Sequence, residues 1–199
     1  MKTLAVLLSA ISLSSAAPAI RATCDKATLE AAANAYINSQ TAGSITSLQS
    51  FFASNWTYVE NNKQIDHTKG VVHKALKIDH RRTNYDLVEC ATYTEYIATT
   101  GPYVIGTQIR HDAEGKVNKI DVIASTTNSW IFNATKTLEY VKGEKWDPIP
   151  EAKWDSREAI KAAGDAYMDM WSSATSHEKV PWGTPCTRLE GSAYTGTVS

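Results

Sequence analysis

Tyr103-Val104-Ile105-Gly106-Thr107-Gln108-Ile109-Arg110-His111-Asp112-Ala113-Glu114-Gly115-Lys116-Val117-Asn118-Lys119-Ile120-Asp121-Val122 decides the fold class of this chain. It reads as two extended runs around a tight turn. Tyr103, Ile105, Thr107 and Ile109 alternate with smaller or polar residues, the period of a strand with one buried face. Asp112-Ala113-Glu114-Gly115 supplies the turn, and Val117 to Ser125 carries the second run. Two more runs precede it, Ile78 to Asp86 and Glu89 to Ala98, the latter linked onward by Thr99-Thr100-Gly101-Pro102. Four extended runs rich in β-branched and aromatic residues, joined by short links, predict an antiparallel meander.

Upstream the pattern is helical. Thr28 to Gln40 carries Leu29, Ala32, Ala33 and Tyr36 at helical spacing, with Asp25 placed to cap and Gly43 to stop it. Ile45 to Ala53 predicts a second, shorter helix, and Trp56 to Glu60 a strand ending in the Asn61-Asn62 turn. Trp130 to Val141 reads as helix, and Asp147-Pro148-Ile149-Pro150 as a linker. Helices followed by a meander give an α+β chain. After the linker, Arg157 to Met168 repeats the first helix at a constant offset. Ile160 stands for Leu29, Ala162 for Ala31, Ala163 for Ala32, Ala166 for Ala35 and Tyr167 for Tyr36. The expected organisation is a leader over 1–19, one domain over 20–150, and a helix and tail over 151–199 that begin a truncated second repeat.

The 199 residues carry 20 Lys+Arg against 21 Asp+Glu, and 43% are hydrophobic. That balance argues against a nucleic-acid partner held through phosphates, and against disorder. Lys2, the apolar run Leu4 to Ile11 and the small residues Ser15-Ala16-Ala17 predict a secretory leader, with no membrane attachment after its removal. Two sequons suit an extracellular address, Asn55-Trp56-Thr57 and Asn133-Ala134-Thr135, so Asn55 and Asn133 are candidate glycan carriers. Three cysteines in an oxidising compartment leave one over. A second repeat with its own disulfide makes Cys24–Cys90 the expected pair and leaves Cys186 waiting for a partner; Cys24–Cys186 is the alternative.

The densest polar cluster is Ile78-Asp79-His80-Arg81-Arg82. On a strand, His80 and Arg82 share one face. His80 is then the candidate proton carrier, Arg82 the candidate holder of an enolate or carboxylate, and Asp79 an aid if the strand starts after it. A surface salt-bridge cluster is the plainer reading. Tyr58, Tyr93, Tyr103 and His111 are candidate ligand-binding residues, with ordinary packing as their alternative. No nucleophile elbow, phosphate loop, dinucleotide fingerprint or metal-ligand spacing occurs, so neither cofactor nor metal is expected.

The two N-terminal helices, the strand and the late hairpin Arg110 to Val117 resemble the SnoaL-like cone, shared with nuclear transport factor 2, scytalone dehydratase and polyketide cyclases. Thr23-Cys24-Asp25, Leu76-Lys77-Ile78-Asp79-His80, Trp146-Asp147-Pro148-Ile149-Pro150 and Val180-Pro181-Trp182-Gly183-Thr184-Pro185-Cys186 resemble more closely a group of secreted fungal proteins on that cone. The resemblance implies helices packed on a curved antiparallel sheet that forms an open cone-like barrel with a pocket inside. It transfers no reaction, because this fold hosts lyases, isomerases, cyclases and plain binding or dimerisation modules alike. Two function classes therefore stand. One is a secreted, cofactor-free lyase or isomerase acting on a small apolar oxygenated molecule. The other is a non-catalytic module for small-molecule binding or protein interaction, with a homodimer among its forms.

Overall fold

A computed structural model describes residues 24–183 and 186–195. The expected leader lies outside them. Helix α1 spans Lys26–Ala42, two residues longer than expected at each end, and at its start the Asp25 side chain accepts from the Thr28 amide and begins the helix there. Gly43, at φ 66°, closes it in a left-handed cap. Ile45–Phe51 is a 3-10 helix rather than an α-helix. It gives way directly to strand β1, Phe52–Glu60, which starts four residues before the expected strand.

The two-residue strand β2, Lys63–Gln64, follows the Asn61-Asn62 turn, where both residues have positive φ. Two 3-10 turns, His67–Lys69 and Val71–His73, meet at Gly70. Strands β3 (His80–Asp86), β4 (Ala91–Ala98), β5 (Tyr103–His111) and β6 (Val117–Thr126) form the expected meander. Strand β4 starts two residues later than expected. Asp86 accepts from the Val88 and Glu89 amides and Cys90 has φ 53°, so 87–90 is a tight turn.

Helix α2 runs Ala134–Gly143, not from Trp130. Asn128 and Ile131 have positive φ and hold the chain out of a helix until Asn133 caps it, accepting from the Lys136 amide. Helix α3 spans Arg157–Asp169, capped by Ser156, and a hairpin of β7 (Arg188–Glu190) and β8 (Ala193–Thr195) follows. An interior glycine such as Gly164 costs a helix about 1 kcal/mol against alanine.

The main sheet has the order β2-β1-β6-β5-β4-β3, with β7 and β8 in a sheet of their own. Neighbours in the meander are joined by short turns and are antiparallel. β1 pairs antiparallel with β2 but parallel with β6, in the register Tyr58 to Ile120 and Glu60 to Val122. A register shift between Phe52 and Thr57 bends β1. This is the α+β class expected, with an open sheet.

The chain divides into two compact units. The first holds residues 24–74, Thr83–Thr94 and Thr107–Val122, and the second holds Ala75–Arg82, Glu95–Gly106 and residues 123–195. The core of the first takes Leu29, Ala32, Tyr36 and Gln40 from α1, with Leu48, Ile109, Ile120 and Val122, all buried. Cys24 and Cys90 form a disulfide packed with Leu29, Tyr85 and Leu87. In the second unit, Ile97, Ala134 and Val141 pack with Val104, Phe132, Leu138 and Leu189. Cys186 is exposed and outside any disulfide.

Candidate functional site

The first unit has a buried polar line behind its apolar core. The Tyr58 hydroxyl donates to Glu60 Oε2 at 2.8 Å, and that same oxygen accepts the Val71 amide at 2.7 Å. Burial pushes the Tyr58 phenol well up, with the Tyr36 and Glu60 charges adding to it, so the hydroxyl stays protonated and donating. Gln40 Nε2 donates to the Val71 and Lys74 carbonyls, at 2.8 and 2.7 Å. Between these anchors, the alpha carbon of Gly70 lies against the Tyr58 ring: a Cβ there would sit 2.5 Å from Cε1. Tyr58, expected at a binding surface, is thus a buried pillar.

Thr107 Oγ1 donates to the Tyr36 hydroxyl at 3.3 Å, fixing α1 across β5. His111, two turns of the pleat further along β5, is buried too. Its Nδ1 lies 3.1 Å from the Cys90 carbonyl, and Nε2 has no hydrogen-bond partner. Burial holds this imidazole below its ordinary value and outweighs the opposing Cys90 and Asp112 effects. His111 is therefore neutral at pH 7, with the Nδ1 proton directed at a carbonyl. The side chains that fill this interior are Tyr36, Leu48, Ile109 and Ile120, each at most 1% exposed.

Outside the core, β3, β4 and β5 form a cleft of about 230 Å³ in the first unit. Asn84 and Asp86 come from β3, Tyr93 from β4, Gln108 and Arg110 from β5, and Glu89 from the turn. Tyr93 is 45% exposed in it. Arg110 Nε donates to Gln108 Oε1 at 3.1 Å, which pins the guanidinium to its own strand. Amide, carboxylate and guanidinium groups thus surround an aromatic ring, a set that can satisfy both donors and acceptors of a hydroxylated ligand. Of these residues, only Tyr93 was expected. The others were legible in principle, because strand alternation puts Gln108 and Arg110 on one face of β5 and Asn84 and Asp86 on one face of β3.

The expected proton-transfer cluster lies in the second unit. β3 begins at His80, so Asp79 precedes the strand. The Asp79 carboxylate accepts from Thr99 Oγ1 at 2.6 Å and from the Thr99 amide at 2.8 Å, and these two bonds hold it below the ordinary carboxylate range. Its own amide donates to the Ile97 carbonyl at 2.8 Å. Arg82 lies over the Trp146 ring, 3.7 Å from its centroid. His80 and Arg82 alternate onto one face of β3, and His80 is half-buried. Tyr103 opens β5, half-buried.

The two sequon asparagines are exposed, Asn55 on β1 and Asn133 at the α2 cap. The Asn133 cap uses Oδ1, which leaves the amide nitrogen directed away from that bond. His67 and His73 face each other across the two 3-10 turns with Nδ1 and Nε2 3.1 Å apart. Trp56 continues that stack from β1, with Phe52 3.8 Å beyond it. Among the described residues, no group of three or more His, Cys, Asp or Glu is placed to hold a metal ion, and no helix is long and apolar enough to cross a membrane.

No curated protein matches the chain. Among solved structures, one similar protein is provisionally named an isomerase, from Rhodopseudomonas palustris. It shares 11% identity at a TM-score of 0.38, over 50% of this chain and 90% of that one. Another is a DUF4783 family protein from Bacteroides fragilis, 13% identical at a TM-score of 0.32, over 45% of this chain and 94% of the other. Residues 153–199, the segment that carries α3 and the β7–β8 hairpin, match the family model described as a domain of unknown function, DUF8021.

Proposed function

We propose that this is a secreted, non-catalytic binding module on a SnoaL-like cone, and that it holds a small hydroxylated molecule in the cleft around Tyr93. The observation that carries the reading is the cleft itself: an exposed ring among Asn84, Asp86, Gln108 and Arg110 on three adjacent strands. Strands make a firmer platform than loops for a polar site. At about 230 Å³ the cleft is smaller than a drug-sized pocket of roughly 300–1,000 Å³, so it suits a small molecule or the end of a longer chain. The filled interior of the first unit leaves the outer face as the better-supported place for a ligand. Secretion rests on the leader pattern, the disulfide and the exposed sequons.

A second reading keeps proton-transfer chemistry at His80, with Arg82 beside it on one face of β3. It is favoured by the half-buried imidazole, which stands two residues from Arg82 on the same face of the strand. One experiment separates the two. Monosaccharides, polyols and hydroxylated aromatics are screened by NMR shift perturbation against the wild type, Tyr93→Ala and His80→Ala. Shifts that vanish in Tyr93→Ala and persist in His80→Ala support the cleft. Loss in His80→Ala alone, with turnover in the wild type, moves the function to the second reading. Mass analysis of protein expressed with its own leader checks the address and both sequons.

A further inference from the structure

Helices α1 and α3 share a sequence pattern but not a fate. Leu29, Ala32 and Tyr36 of α1 are fully buried. Their counterparts in α3 are Ile160, Ala163 and Tyr167, yet α3 buries none of its residues. Ile160 is 63% exposed, Met168 65% and Trp171, just past the helix end, 64%. Residues 160, 163, 164, 167, 168 and 171 follow the spacing i, i+3, i+4, i+7, i+8, i+11, which is one continuous apolar stripe. Tyr167 is engaged at one edge, by Trp182 and by Arg188, whose guanidinium also lies 5.5 Å from the Trp171 ring. Gly164 sits mid-stripe. A Cβ there would meet nothing within 4 Å, so no close approach inside the molecule accounts for the glycine.

We propose that the α3 stripe is a self-association face, on which α3 of a second copy packs antiparallel and crosses at Gly164. Three observations select this occupant. The first is charge. Lys161 and Asp165 lie on one flank of the stripe, one turn apart, and pair within the helix at 2.5 Å. A two-fold antiparallel pair sets each flank against its own reversed copy, so Lys161 of each protomer meets Asp165 of the other, twice over. The second is the glycine, which lets two backbones approach at the crossing point. The third is area. Ile160, Met168 and Trp171 together leave roughly 400 Å² of apolar surface per copy. At an interface composition of about 65% apolar, that corresponds to roughly 600 Å² per partner, the low end for a stable dimer. A dissociation constant of about 1–100 μM is therefore expected. This inference does not depend on the Tyr93 cleft.

Sedimentation equilibrium of the full secreted chain from about 1 to 300 μM tests it, with far-UV circular dichroism and thermal melts as folding controls. The wild type is expected to move from monomer to dimer across that range. Ile160→Glu with Met168→Glu should weaken the dimer by at least about tenfold and leave the melt unchanged. Gly164→Leu should do the same, since its side chain has room in the monomer but none at the crossing. Lys161→Asp and Asp165→Lys should each weaken association, and the two together should restore it. A monomer at every concentration overturns the proposal. So does a dimer indifferent to Ile160→Glu with Met168→Glu, or a monomer that instead binds neutral phosphatidylcholine vesicles.

Discussion

Breaking the Cys24–Cys90 disulfide is the perturbation whose size follows most directly from the structure. The bond joins residues 66 apart in sequence, and both cysteines are fully buried beside Leu29. In the chain-entropy picture the cross-link removes 2.1 + 1.5R ln n cal/mol/K from the unfolded chain, which for n of about 66 is roughly 14–15 cal/mol/K, or about 4.3 kcal/mol at 25 °C. Against a total of roughly 5–15 kcal/mol for a domain, that is a large share. Two arms separate the covalent effect from packing. Reduced wild type keeps both side chains and loses only the bond. Cys24→Ala with Cys90→Ala also loses two buried sulfurs and should be less stable still. Alanine at 90 inherits the same φ of 53° as the cysteine, so this variant gains nothing from relief of backbone strain. Cys90→Gly would gain about 1 kcal/mol from such relief relative to Cys90→Ala. Guanidinium titrations of oxidised, reduced and double-alanine protein give the differences from the midpoint and slope. A loss below about 1 kcal/mol on reduction, with the cross-link confirmed by mass beforehand, would refute the reasoning.

Two further perturbations test the interior of the first unit. Gly70→Ala places a Cβ 2.5–2.9 Å from a Tyr58 ring that is itself buried and held by Glu60, so neither side can yield. A loss of about 1–3 kcal/mol in urea titrations is expected, and Tyr58→Leu in the Gly70→Ala background should recover part of it. His111 has a folded-state value depressed by burial. Its contribution is therefore present above the ordinary imidazole value of about 6.5 and is lost as pH falls from there through the lowered folded value. Urea midpoints between pH 8 and 5 should drop in that window for the wild type and stay flatter in His111→Gln, whose amide can still reach the Cys90 carbonyl. Equal slopes would show that another group carries the dependence.

Much of the fold was legible because its signals are local. Alternation and the flanking turns bound strand β5 to the residue, and spacing and caps place α1 and α3 to within two residues at either end. The misses are non-local or too small for periodicity. Phe52-Ala53-Ser54-Asn55 has little strand character of its own; it is drawn into β1 because Phe52 before it and Thr57 to Glu60 after it pair with β6, a pairing that no nearby residue announces. The helix expected over 45–53 is a 3-10 run of seven residues that ends where β1 claims the chain. By composition Glu89 and Cys90 belong to a strand, whereas Asp86 turns the chain there with a side-chain bond. The candidate site was harder. Gln108 and Arg110 carry no motif, and only the register of β3, β4 and β5 gathers them around Tyr93.

The parallel seam between β1 and β6 also fixes an order of events during synthesis. β1 leaves the ribosome early, but its partners Lys119 to Val122 emerge some 60 residues later, after the whole meander. Through that interval α1 has no completed sheet to cover and the β1 edge is unpaired, while Cys24 must wait for Cys90. Residues 52–60 thus reach their place only after the whole meander has been made. Substitutions that weaken the β5–β6 hairpin should therefore be felt first as poor yield of secreted protein, before any loss of stability in the molecules that finish folding.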